Sequence, residues 1–300
     1  MAAQLLPLSR YVYGTTRLGD ETIPFDDRVA IARAAIDAGL SLHTSDQYGS
    51  ALNVLNAAFD IDRSNIPNMI FKIGWNSVDQ IRGQIEKQLA EVGLSSMTIG
   101  QLCLGGDLAD DFGSTGNCID ALNELKAEGL VDHFVIEVFP WISSNPLKAL
   151  EGGHLHKLVD ALILYFNPLQ CFATNDLWAR IVEQNTPIVA MRTVAGGSVH
   201  RMADPASGAS EYLQKRAVEV APIFDRSGCS SWTEFCIRFA FSFPFVQATV
   251  GATARAENLR EFVEASKSRN PLPREIVSEI SALQRRWSDE VDRQAEPWTM

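Results

Sequence analysis

No run of apolar residues in the 300-residue chain approaches the roughly 20 needed to span a bilayer. Nor does any stretch form the Gly-x-Gly-x-x-Gly turn that a dinucleotide-binding Rossmann unit places after an early strand. These absences argue against a membrane-spanning protein and against a doubly wound nucleotide fold. Residues Met1 to Pro7 carry no basic group ahead of their short apolar patch, so a signal peptide is not expected. Positive charge is scarce too: 26 Lys and Arg face 37 Asp and Glu, for a net charge of -11. Polyanions bind basic surfaces, which excludes nucleic acid as a main partner and leaves only a local basic pocket for a phosphate. Cysteine is sparse and unpatterned. Cys103, Cys118, Cys171, Cys229 and Cys236 are odd in number, scattered, and without a Cys-x-x-Cys pair. The expectation is a reduced, cytoplasmic chain with small core thiols and no disulfide framework.

What is present is ordinary globular composition, 46% hydrophobic and 21% charged, in a repeating strand-then-helix order. Strands are expected at Arg10–Gly14, Leu40–Thr44, Met69–Gly74, Thr98–Leu104, His133–Val138, Ala161–Phe166, Pro187–Arg192 and Val246–Val250. Helical periodicity lies between them, as at Asp27–Ala38, Val78–Val92, Asn117–Glu128, Leu177–Gln184, Glu211–Phe224 and Ser231–Phe241. Asp26-Asp27 reads as acidic capping of the first helix and Gly39 as its stop. Eight strands alternating with helices predict an α/β fold, a (β/α)8 TIM barrel forming a single domain over residues 1–300. Pro273–Trp287 reads as an added C-terminal helix and Ser288–Met300 as a polar tail.

In such barrels the active site gathers at the C-terminal strand ends. Those ends carry His43, Tyr48, Lys72, Trp75, Asp107, Glu137, Trp141, Tyr165, Asn167 and Arg192. Tyr48 and Lys72 form a recognisable acid–base pair, because a nearby ammonium favours the phenolate. At ~4 Å and an effective dielectric of ~20, a unit-charge pair is worth about 4 kcal/mol before desolvation is deducted. Tyr48 could then give or take a proton at a substrate oxygen. The same residues also fit a lysine closing a strand end and a tyrosine hydroxyl satisfied in its loop. Asp107 and Glu137 read as paired carboxylates or as loop caps. Trp75 and Trp141 read as stacking surfaces for a ring-bearing substrate or as rim packing. His154 and His156 flank one Leu without an acidic or Cys partner, so they read as loop residues, and no metal is expected.

The chain resembles the aldo-keto reductases, NADPH-dependent enzymes on an eight-stranded barrel. The resemblance runs through Ala35-Ile36-Asp37-Ala38-Gly39 into Thr44-x-x-x-Tyr48-Gly49, then Leu158–Leu169, Ala195-Gly196-Gly197, and Val250-Gly251-Ala252 with Arg255-Ala256-Glu257-Asn258-Leu259. It implies that Tyr48 and Lys72 are catalytic and that His43 stands where the family has the Asp that holds the Lys. The family's His after strand four corresponds to Gly105. Cofactor contacts are implied for Arg192, Gly251, Thr253, Arg255 and Asn258, and NADP(H) is the implied cofactor. Elsewhere the pattern departs. Glu137-Val138 and Ile163 occupy the positions that bond the nicotinamide carboxamide, Met191 that of the stacking aromatic, and Phe262 that of an Asn closing the phosphate loop. Three functions follow. One is an NADP(H)-dependent oxidoreductase acting on a carbonyl or sugar-like small molecule, with Trp75, Asp107, Glu137 and Trp141 on the substrate. Another is a non-redox acid–base enzyme, an isomerase or lyase, on a sugar-like substrate. The third is a non-catalytic relative.

Overall fold

The computed structural model describes residues 6–73, 78–103, 117–138, 158–268 and 270–294. Parallel strands buried on both faces need near-continuous apolar runs, and that is what the sequence supplies. Their ranges are β1 (Tyr11–Gly14), β2 (Ser41–Thr44), β3 (Met69–Ile73), β4 (Met97–Cys103), β5 (Val131–Val138), β6 (Ala161–Asn167), β7 (Ile188–Met191) and β8 (Val246–Ala252). Each pairs in parallel with the next, and β8 closes on β1 through Tyr11–Thr249 and Gly14–Ala252. Among the described residues the result is a closed eight-stranded TIM barrel. A two-residue antiparallel return, Gln170–Cys171, folds back on β6 and was not foreseen.

The helices are α1 (Phe25–Asp37), α2 (Ala51–Ile61), α3 (Val78–Val92), α4 (Asn117–Ala127), α5 (Asn175–Gln184), α6 (Val199–Ala203), α7 (Glu211–Arg226), α8 (Trp232–Ala240), α9 (Ala256–Lys267) and α10 (Arg274–Gln294). Gly39 closes α1 as expected: its φ of 72° is left-handed, and Leu40 N–H reaches back to the Ala35 carbonyl. The capping assignment needs correction. Pro24 is the N-cap of α1 and makes no side-chain bond, while Asp26 and Asp27 lie in the first turn. There they act on the helix dipole rather than as caps. α2 was not anticipated; its run of apolar residues reads as helix only once its buried face is known. α10 also continues through Ser288 to Gln294, where a tail was expected.

Alternation along the strands separates two cores. Outward-facing residues pack under the helices, whereas Val12, Ile70, Ile99, Val135, Ile163 and Val189 fill the barrel, with Leu6 and Leu8 beneath them. The segment holding that plug is pinned by the Asn68 amide on the Pro7 carbonyl and by Ser9 and Ser41 bonding each other's N–H. One step up, the inward positions of β3 to β6 become polar, while Met191 and Val250 keep β7 and β8 apolar.

Candidate active site

The period-2 alternation that puts Ile70, Ile99, Val135 and Ile163 inside the barrel puts Lys72, Gln101, Glu137 and Tyr165 inside one layer higher. Ser41 leads likewise to His43, and Gln101 to Cys103. Lys72 crosses over β4 to reach β5: its Nζ lies 3.1 Å from Glu137 Oε2 and 3.2 Å from Oε1. Glu137 is only 2% exposed. The Cys103 thiol donates to the same carboxylate at 2.5 Å. Burial first, and then the Glu137 charge, push the Cys103 pKa far up, so the donor remains a thiol.

His43 does not partner Lys72. Its Nε2 lies 2.7 Å from Gln101 Oε1, and the ring is buried. Burial lowers its pKa, and the bond to Gln101 and the Glu137 charge offset only part of that. The imidazole is therefore neutral at pH 7 and donates to Gln101, whose own amide nitrogen has no hydrogen-bond partner among the described residues. His43 stands at the position that the resemblance gives to the Lys-holding Asp, yet the carboxylate on Lys72 is that of Glu137, which was expected on the substrate.

Tyr48 hangs over this cluster on the β2–α2 loop, half-buried. The 3-10 turn Thr16–Gly19 presses on that loop so closely that a side chain at Gly19 would run into the Tyr48 carbonyl. A hydrogen bond from the Thr16 side chain also reaches Tyr48, and its pKa is raised. Burial is the main cause; Lys72 pulls the other way, and Glu137 counters Lys72. The expected lowering by Lys72 is present, but burial outweighs it, so the net shift is upward. Lys72 itself is held above its usual range: burial alone would lower it, but Glu137, with Cys103 and Tyr48, more than compensates. The result is a protonated phenol beside a persistent ammonium.

Around the mouth, the Arg192 guanidinium lies 5.2 Å above the Tyr165 ring. Arg192 itself has φ 54°, followed by left-handed Ala195 and Gly196. Thr193 fastens this loop to β8, giving its N–H and hydroxyl to the Val250 carbonyl at 3.2 and 2.9 Å. In the loop after β8, the Thr253 hydroxyl accepts from Arg255 N–H and the Asn258 amide, at 3.1 and 3.2 Å. The Arg255 side chain is exposed. Gly251 has a packing role: a Cβ there would meet the Phe262 and Tyr11 rings at 3.3 Å, and those two rings stack at 4.6 Å. Ile163 lies in the apolar barrel interior with Met191, offering no hydrogen bond.

Trp75, Asp107, Trp141, Gly105, His154 and His156 lie outside the described residues. The structure therefore brings together Tyr48, Lys72, His43 and Glu137, and separately Arg192 and the Thr253–Asn258 turn. Gln101 and Cys103 were missed in the sequence, although alternation from Ile99 marks both as inward-facing.

The sequence matches the aldo/keto reductase family over residues 10–285. This chain belongs to the aldo/keto reductase family. Among solved structures it is similar to the holo form of aldo-keto reductase AKR11C1 from Bacillus halodurans, with 20% identity, a TM-score of 0.70, and coverage of 93% of this chain and 95% of that one. An aldo/keto reductase from Klebsiella pneumoniae, in complex with NADP and acetate, matches at 16% identity and a TM-score of 0.70, covering 95% and 96%. No curated protein matches the sequence. At these identities the likeness to the aldo/keto reductase structures is one of fold.

Proposed function

We propose that this aldo/keto reductase family member is an NADP(H)-dependent oxidoreductase acting on the carbonyl of a small, sugar-like molecule, in the cytoplasm. The observation that carries the reading is the protonated Tyr48 phenol poised beside the Lys72–Glu137 ion pair. A phenol that keeps its proton at neutral pH can donate it to a carbonyl oxygen as that oxygen becomes an alkoxide. Lys72 stabilises the phenolate left behind, and Glu137 keeps the ammonium in place. The buried walls exclude water and strengthen both interactions. NADP(H), when bound, supplies or accepts the hydride.

The residues present fit that cofactor at its phosphate end. Arg192 and Arg255 sit on the loops after β7 and β8, where barrels commonly hold phosphate, and neither side chain has an ion pair among the described residues. Thr253 and Asn258 shape the turn that presents Arg255. The free thiols of all five cysteines support the cytoplasmic assignment.

One observation favours the acid–base alternative: Ile163 gives a carboxamide nothing to bond, Met191 offers no ring to stack on, and Glu137 is engaged by Lys72 and Cys103. The two readings part on cofactor binding. Titration with NADPH should quench tryptophan fluorescence saturably, and the complex should lose its 340 nm absorbance on adding aldehydes or aldoses. Silence at millimolar NADPH would overturn the oxidoreductase reading.

A further inference from the structure

We propose that Glu137, on β5, is the positioning residue for Lys72, and that the neutral His43–Gln101 pair on the β2 side takes no part in holding it. The inference rests on the reading of Tyr48 as the proton donor and adds the group that sets its partner's charge and position.

Three observations carry it. First, the contact is two-pronged: both Glu137 oxygens lie within 3.2 Å of Lys72 Nζ. Second, the carboxylate is held from the far side. Cys103 stands directly across from Glu137 in the β4–β5 register, and its thiol donates to Oε2, so the carboxylate has a second anchor besides Lys72. Third, the alternative holder is occupied elsewhere. His43 spends its Nε2 on Gln101, across β3 from its own strand, and a neutral imidazole brings no charge to Lys72. The groups facing Lys72 are thus Glu137 from β5, Cys103 from β4, Tyr165 from β6, Tyr48 from the β2–α2 loop and His43 from β2; among the described residues only Glu137 is an anion there.

A purely structural ion pair would hold the barrel together without setting Lys72's charge for Tyr48. The distinction is measurable. Acylation of an amine requires its neutral form, so the pH dependence of Lys72 modification, followed by mass spectrometry with a small anhydride, reads its protonation without any turnover. Removing the counter-charge in Glu137→Gln should move that profile to lower pH. At a fixed pH below the transition, a profile displaced by about one pH unit would make Lys72 react about tenfold faster. In NADPH-dependent turnover the same variant should lower kcat by roughly 10- to 100-fold while moving KM much less, since Lys72 acts on the transition state. Glu137→Asp, which keeps the charge on a shorter arm, should fall between. The double variant His43→Asp with Glu137→Gln should recover the acylation profile and part of kcat, because it places a carboxylate on β2.

An unchanged acylation profile in Glu137→Gln would overturn the proposal even if the enzyme reduces carbonyls through Tyr48. Conversely, a protein with no NADPH turnover, yet with the expected profiles, would overturn the proposed function and leave the Glu137 assignment standing. Should Glu137→Gln fail to fold, Glu137→Asp decides: an unaltered Lys72 profile there overturns the proposal, and a smaller displacement in the same direction supports it.

Discussion

On the β2–β5 side of the mouth, charge is buried and each ionisable group has a polar partner: Lys72 has Glu137, Glu137 has Cys103 as well, and His43 has the amide of Gln101. Across the barrel, on the loops after β7 and β8, Arg192 lies over the Tyr165 ring and Arg255 is exposed, and the interior beneath them is Met191, Val250 and Ile163. The first side is held by its own buried contacts, and the proposed function has it move a proton. The second has two arginines at the mouth, to which the proposed function gives the cofactor's phosphate. The difference teaches where substitutions will be felt: as lost chemistry and stability on one side, as lost affinity on the other.

The largest effect should come from Tyr48→Phe, which removes only the proton donor. Turnover should fall about 10²- to 10⁴-fold, the range of a general acid, with NADPH binding retained. Because the Tyr48 pKa is raised, carbonyl reduction should persist through neutral and mildly alkaline pH and fail only as the phenol ionises. Alcohol oxidation, which needs the phenolate, should climb with pH over the same range. Steady-state rates in both directions check this, and full activity in the variant would remove Tyr48 from the mechanism.

Next in size is a stability effect confined to the same side. Lys72→Met leaves Glu137 ionised and buried with only a thiol donor, and breaking one partner of a buried pair costs about 3–5 kcal/mol. Urea unfolding should show it as a lower midpoint with an unchanged m-value. A loss below about 1 kcal/mol would place the pair in water, as at a surface ion pair.

Much of this comparison was legible in the sequence, and the rest failed for a definable reason. The barrel was readable because buried parallel strands need uninterrupted apolar runs, so β1 to β8 announced themselves to within a few residues. Tyr48 was readable as a candidate from Thr44-x-x-x-Tyr48-Gly49, and Lys72 from its place near the end of a strand. The partnership of Lys72 was not. Glu137 lies 65 positions away along the chain, and only the packing of β3, β4 and β5 shows that a four-carbon side chain can cross β4 to reach it. His43 was misjudged for the same reason: its sequence position suggested a lysine partner, whereas register and reach gave it Gln101. Gly251 carries a second constraint that its loop pattern does not show: a Cβ there would meet the Phe262 and Tyr11 rings.

The β7–β8 side should respond more mildly and only to ligand. Arg255→Ala should weaken NADPH by about tenfold, the 1.4 kcal/mol scale of one charge-assisted contact. NADH, which lacks the extra phosphate, should change little, and unfolding should be unaffected because the side chain is exposed. Fluorescence titration with both cofactors checks it; equal losses for the two would direct Arg255 away from that phosphate.

The smallest effect separates the two sides by pH alone. Burial lowers the pKa of His43 from its usual 6.5, against the partial support of Gln101 and Glu137. The unfolded chain therefore takes up a proton at pH values where the native imidazole still refuses it. Native stability contributed by this site is fully present above 6.5 and declines as pH falls from there towards the lowered native pKa. His43→Gln keeps an amide N–H for Gln101 but cannot titrate. Its unfolding free energy should run parallel to that of the wild type above pH 6.5 and fall less steeply below it, so the two curves converge in acid. Arg255→Ala provides the contrast, since a guanidinium holds its proton throughout and its removal should leave the shape of the curve unchanged. Curves for His43→Gln that stayed parallel down to pH 4 would mean that the imidazole protonates as readily in the native state as in the unfolded one. The buried, uncharged half of the site would then have to be redrawn with a cation at position 43, opposed to Lys72.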